Sequence, residues 1–258
     1  METHKQKEKV RVLILLTLIA CIVLTLVKPI AQDPLYHRFA DARSYFSIPN
    51  FWNVVSNIPY LVFGGAGFYF IALTKDQSSL KDHILSYLVF FTGVFLTGFG
   101  SAHYHAFPAS ETLVWDRLPM TIAFMGFFSA IIGEFIGARY GKLLLLPLVC
   151  FGIFSVAYWW YTERNGHGDL RLYALVQYLP MLLIPLLVIL FRNKKIPTRN
   201  LWYMMLAYLA AKLFEAGDQL IFLKTPFLSG HTLKHFAAGL TPFFYIRYLA
   251  DRKNMSQL

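Results

Sequence analysis

His231 and His235, in the run His231-Thr-Leu-Lys-His235, stand four residues apart and so share one face of a helix, as paired metal ligands do. Ser101 and His105 repeat that spacing, and Asp116 follows shortly after. A third histidine from a second helix completes a three-histidine zinc site with a position open for water. The chemistry these residue types point to is that of a zinc hydrolase embedded in a membrane.

The membrane follows from what surrounds them. Of 258 residues, 57% are hydrophobic and only 15% charged, and the mean hydropathy is +0.49. Soluble domains carry about a quarter charged residues. Hydrocarbon does not tolerate idle imidazoles and carboxylates, so polar groups kept within it have work to do. The net charge of +10 is scattered between apolar runs instead of forming a patch. It reads as loop charge that orients a membrane protein, and no nucleic-acid partner is implied. Cys21 and Cys150 lie inside apolar runs and read as packing residues.

The elements that must position these groups are all-α. Eight runs meet the length of about 20 apolar residues that a span requires: 11–28, 52–73, 84–105, 117–137, 142–161, 171–191, 200–223 and 231–249. Short connections join them, with turn residues at Lys75 to Ser79, Pro108 to Ser110, Gly137 to Gly141, Asn165 to Gly168 and Pro226 to Gly230; only 29–51 is longer. The first run, preceded by Lys5, Lys7, Lys9 and Arg11, has the flank of a signal peptide. It is long for one, and no clean small-residue cleavage site follows, so an uncleaved anchor is expected. The division is then a basic N-terminus and anchor over 1–30 and a membrane domain over 31–258.

With the N-terminus cytoplasmic, Lys and Arg in the inner loops, Lys194 and Lys195 among them, outnumber those outside. Both termini are expected in the cytoplasm. The third span then ends outside at His105, while the fourth and eighth begin there at Asp116 and His231. All five polar residues fall at one membrane face, a result that composition did not require.

Taken singly, each has a bland explanation: histidines cap helices or bind carbonyls, Ser101 bonds the preceding turn, and Asp116 is an N-cap. Their joint placement on three helices resists it. His103 points away from His105, and His4, His37, His83 and His167 lie in the tail, loops or span ends. The seventh span carries Lys212, Glu215 and Asp218 at three-residue spacing, with Lys234 available from the eighth. These groups form either an ion-pair network between helices or a handle for a lipid head group, with Asp218, Glu215 and Lys234 as its substrate-binding candidates.

Four stretches carry a resemblance: Asn50-Phe-Trp-Asn-Val-Val-Ser-Asn57, Gly98-Phe-Gly-Ser-Ala-His-Tyr-His105, Asp116-Arg-Leu-Pro-Met120 and His231-Thr-Leu-Lys-His235. Together they resemble the alkaline ceramidases and the wider CREST superfamily, which also holds the adiponectin and progestin receptors. The resemblance spans about residues 40–250 and implies a seven-helix core with one additional N-terminal span. It implies zinc on His105, His231 and His235, with Ser101 and Asp116 beside the metal and its water. Alkaline ceramidases also bind calcium ahead of the Phe-Trp-Asn motif. Here that region, Asp41 to Asn50, has few acids and includes Arg43, and calcium needs several oxygen ligands, so no calcium site is expected.

The implied reaction is hydrolysis of the N-acyl amide of a ceramide-like lipid. Zinc brings the pKa of its water to about 7 and polarises the carbonyl. Asp116 then moves the proton to the departing amine, and Ser101 bonds the oxyanion or orients Asp116. Two alternatives stay open: a lipid receptor with a structural zinc, and a zinc hydrolase of another lipid amide or ester. Short loops and strong charge bias read as those of a bacterial inner-membrane protein, with the site near the outer face and no protein partner implied.

Overall fold

The computed structural model describes residues 4–193 and 196–255; Lys194 and Lys195, counted above among the inner-loop cations, lie outside the described residues. The chain is helical throughout: α1 (His4–Leu26), α2 (Phe51–Val55), α3 (Ile58–Thr74), α4 (Ile84–Ala106), α5 (Ser110–Phe135), α6 (Ala138–Arg164), α7 (Arg171–Leu190), α8 (Arg199–Ala216), α9 (Asp218–Lys224), α10 (Gly230–Gly239) and α11 (Thr241–Met255). No strand occurs among the described residues, and the only β pairing there is an isolated bridge between Tyr45 and Ile48. The protein is an all-α polytopic membrane bundle.

Among the described residues, six segments are long and apolar enough to cross a membrane: His4–Leu26, Phe51–Thr74, Lys81–Ala106, Ser110–Phe135, Ala138–Arg164 and Arg171–Leu190. The last two expected runs fold differently. The seventh breaks at Gly217 into α8 and the short α9, and the eighth breaks at Leu240 into α10 and α11. The second is also interrupted, at Ser56-Asn57 ahead of Pro59 in the first turn of α3. All three breaks fall in segments that supply site residues. Irregular backbone is tolerated at membrane depth where protein or a cavity surrounds it. The prolines inside α5, α6 and α7 are accommodated for the same reason.

In hydrocarbon, helices associate through close packing of small residues more than through exclusion of water. The most extensive helix pair, α4 and α5, shows it. A Cβ on Gly93 would come within 2.3 Å of the Ala123 backbone nitrogen, and one on Gly100 within 1.9 Å of the Trp115 carbonyl. These two backbones therefore touch both at mid-helix and beside Ser101. The packed interior is aromatic, with Tyr87, Phe91 and Tyr245 fully covered. By contrast α1 buries only Leu13 and lies along α7, with the Lys9 ammonium on the Leu190 carbonyl and Arg171 on that of Val27 (2.7 Å).

At one end of the bundle the buried Glu134 carboxylate accepts hydrogen bonds from Tyr87 (2.6 Å) and Tyr248 and pairs with Arg252 (3.0 Å). This knot ties α4, α5 and α11 together where the buried charge has both a counter-charge and donors. Arg252 near the C-terminus, the start of α4 and the end of α5 thus meet at one end. Lys9, opposite the end of α7, puts the start of α1 at that end too. His105 lies at the other end of α4.

The α4–α5 contact yields a test. Gly93→Ala should destabilise the protein by about 1–3 kcal/mol, the usual cost of overpacking, read as a lower thermal midpoint in detergent. Gly65→Ala, where an added methyl meets nothing within 4 Å, should leave the midpoint unchanged or raise it slightly.

Candidate active site

Each site residue owes its position to a local feature. Ser101 and His105 occupy the last two turns of α4, Ser101 toward Asp116 of α5 and His105 toward α10, and both are buried. Asp116 sits early in α5, where the close approach at Gly100 brings the two helices together. Ser129 and Ser86 close the same interface lower down (2.9 Å). The start of α10 is fixed by Ser229, whose hydroxyl caps it by accepting from the Thr232 N–H at 3.1 Å. A Cβ on Gly230 would come within 2.3 Å of the Phe214 carbonyl, so glycine lets α10 begin hard against the end of α8. His231 and His235 then point inward one turn apart.

The three imidazoles converge. His105 Nε2 lies 3.1 Å from His235 Nε2 and 3.3 Å from His231 Nε2. One nitrogen from each falls within a 4.8 Å group, and all three rings are buried. Tetrahedral ligands at about 2.0–2.1 Å from a zinc ion stand roughly 3.3 Å apart, so the spacing suits such an ion. Three buried histidines are thus placed to bind a metal ion. The Ser56 hydroxyl bonds His235 Nδ1 (2.8 Å), which fixes that ring and leaves Nε2 for the centre.

Around them runs a polar framework that the residue types alone did not reveal. Asn50, in the left-handed region at φ 49°, donates to the His105 carbonyl at 2.8 Å. Asn53 takes the Thr232 hydroxyl (3.1 Å) and donates to the Asp41 carbonyl (3.2 Å). The Phe39 ring covers His105 and His231 at 4.8 and 5.1 Å between centroids. The Asn50–Asn57 motif was the available signal; nothing in the sequence marked Phe39. Asp41, the one acid between 41 and 50, is taken up by Arg43 in a two-pronged pair at 2.8 and 2.6 Å.

Ser101, Asp116 and His235 line one cavity of about 260 Å³, and the Ser101 hydroxyl bonds the Asp116 carboxylate. Glu215 and Lys234 line it as well, joined at 3.0 Å, with Lys212 on the other Glu215 oxygen at 2.7 Å. Asp218 is placed otherwise: its two oxygens accept the backbone N–H groups of His231 (2.7 Å) and Ala40 (3.2 Å), and it is absent from the cavity wall. The cavity shares Tyr60, Thr97, Met120 and Tyr208 with a second, apolar one of about 130 Å³ walled by Phe90, Phe124 and Phe127. Of the remaining histidines, His103 is exposed, and His37 bridges Tyr104 (3.0 Å) and Ser110 (3.2 Å). Burial in that loop holds His37 below its ordinary pKa.

The ceramidase family model matches residues 44–217. The chain belongs to the ceramidase family. Membership brings with it hydrolysis of a lipid amide in a membrane setting. The match takes in Ser101, His105 and Asp116 but stops before His231 and His235; tertiary packing joins those two to the set. No curated protein matches the chain.

Metal content checks the ligand geometry. The purified protein should hold one equivalent of a divalent metal, and His231→Ala should lose it. Ser56→Ala should keep the fold and weaken metal affinity by about 10–100-fold, the usual cost of losing such an orienting partner, measured by competition with a chelator.

Proposed function

We propose that the protein is a zinc-dependent amidohydrolase that cleaves the N-acyl amide of a ceramide-like membrane lipid to a fatty acid and an amine. One observation carries this reading: His235 of the three-histidine cluster lines the same cavity as the Ser101–Asp116 pair, and that cavity adjoins an apolar pocket. Family membership supports the amide as the bond cleaved.

His105, His231 and His235 would hold the zinc, which when bound supplies Lewis acidity toward the carbonyl and an acidified water. The rest falls to the chain's own side chains. Asp116 accepts the proton of the attacking water and returns it to the amine nitrogen, which leaves as a neutral amine. Ser101 donates to Asp116 and so orients the carboxylate, which lines the cavity. Ser56 keeps the His235 ring in register. Phe39 covers two of the imidazoles and excludes water from that side. The acyl chain occupies the pocket of Phe90, Phe124 and Phe127, whose wall is nearly all hydrocarbon.

The catalytic unit is inferred to be the seven-helix region from residue 31 onward, with α1 as an added anchor. Two observations support that division: α1 is almost wholly exposed, and the family match begins after it. Cytoplasmic termini and a site near the outer face, in a bacterial inner membrane, are part of the same proposal. It is supported by the inner-loop charge bias and by the opposite ends of the bundle that Arg252 and His105 occupy.

Asp116→Asn tests the role given to the carboxylate. The variant should keep its metal and lose about 10²–10⁴-fold in amide hydrolysis, the range for a positioned acid–base group, measured as fatty acid released in detergent micelles. Unchanged turnover would remove Asp116 from the mechanism.

A further inference from the structure

The charges on the cavity wall do not balance. Lys212, Lys234 and Arg117 face two carboxylates, Asp116 and Glu215, so three positive charges meet two negative ones and one is left over. Glu215 divides its oxygens between the two lysines. Asp116 bonds Ser101 and feels Lys234 and Arg117 only through space. A bound metal would add further positive charge.

Arg117 is the more telling of these cations. It is 5% exposed, yet through Nη2 it donates to the neutral Gln32 side chain at 2.6 Å. Its Nη1 is buried with no hydrogen-bond partner. The guanidinium is clamped over the rings of Trp159 (4.2 Å) and Tyr173 (4.7 Å), so its orientation is fixed before any ligand arrives. A buried donor left unmade is costly, and a guanidinium is shaped to hold a carboxylate.

Resting on the amidase reading above, we propose that the substrate carries an anion on its amine half: the protein hydrolyses N-acyl amino acids, whose carboxylate is held by Arg117 and Lys234. The placement agrees. Arg117 and Lys234 line the polar cavity and are absent from the apolar one, so the anion and the acyl chain would occupy different parts of the connected space. Water adds across the amide C–N bond, its hydroxyl going to the acyl carbon and a proton to the nitrogen. The products are a fatty acid and a free amino acid. A neutral amine half would leave the surplus charge and the Arg117 Nη1 as they are.

The test first varies the ligand on the unaltered protein. N-oleoylglycine and N-oleoylglycinamide differ in the carboxylate alone. The acid should be cleaved with kcat/KM about 10–100-fold higher, the value of a charge-assisted hydrogen bond. It should also raise the melting temperature of the metal-free protein more than the glycinamide does at equal concentration. In Lys234→Gln both differences should shrink. Glycinamide cleaved as well as the acid, with equal thermal shifts, overturns the anion site and leaves amide hydrolysis standing. If neither amide is cleaved by metal-loaded protein, the amidase reading fails, and the thermal shifts alone decide: a larger shift with the acid upholds the anion site, and equal shifts remove it.

Discussion

The distance between α4 and α5 is the constraint on which the rest of this structure depends. Ser101 and His105 lie on one helix and Asp116 on the other, and their side chains are short. Ser101 and Asp116 share a cavity only because Gly93 and Gly100 let the two backbones touch. A hydrophobic driving force cannot hold helices together in lipid, so shape has to, and glycine supplies the closest fit. The Glu134 knot fastens the same two helices at the far end, where an ion pair and tyrosine hydroxyls satisfy a carboxylate that has no water.

The second constraint is satisfaction of polar groups out of reach of water. Much of the framework around the histidines is hydrogen bonding to backbone. Asn50 takes a donor role toward α4, Asp218 gathers the N–H groups of His231 and Ala40, and Ser229 caps α10. Each bond closes a helix break or a loop that would otherwise leave orphaned groups in a buried place. Apart from the continuous α4 and α5, the segments around the site are broken ones, and polar residues of the site repair the backbone that the breaks disturb. Arg117 stands outside this economy, with a buried donor still open.

The candidate site was largely legible in the residues. The four-residue spacings put Ser101 with His105 and His231 with His235 on common helix faces, and counting crossings placed them with Asp116 at one end. The structure groups the three histidines and sets Ser101, Asp116 and His235 on one cavity wall. Glu215 and Lys234 also face the cavity, whereas Asp218 serves the backbone of α10 and of the loop before α2. Spacing could not separate those cases. Residues three apart share a helical face, but Gly217 ends α8 between Glu215 and Asp218 and turns them to different duties.

By itself the sequence determined the all-α membrane class, most of the span boundaries and the set of chemically capable residues. Those depend on hydropathy and on periodicity within one helix, which are local properties. Tertiary structure decided the rest: the breaks in the last two runs, the Phe39 cover, the Ser56 bond to His235 and the surplus charge around Arg117. Each of these rests on which surfaces meet across distant segments. Local pattern says that a side chain is available, and only packing says what it faces.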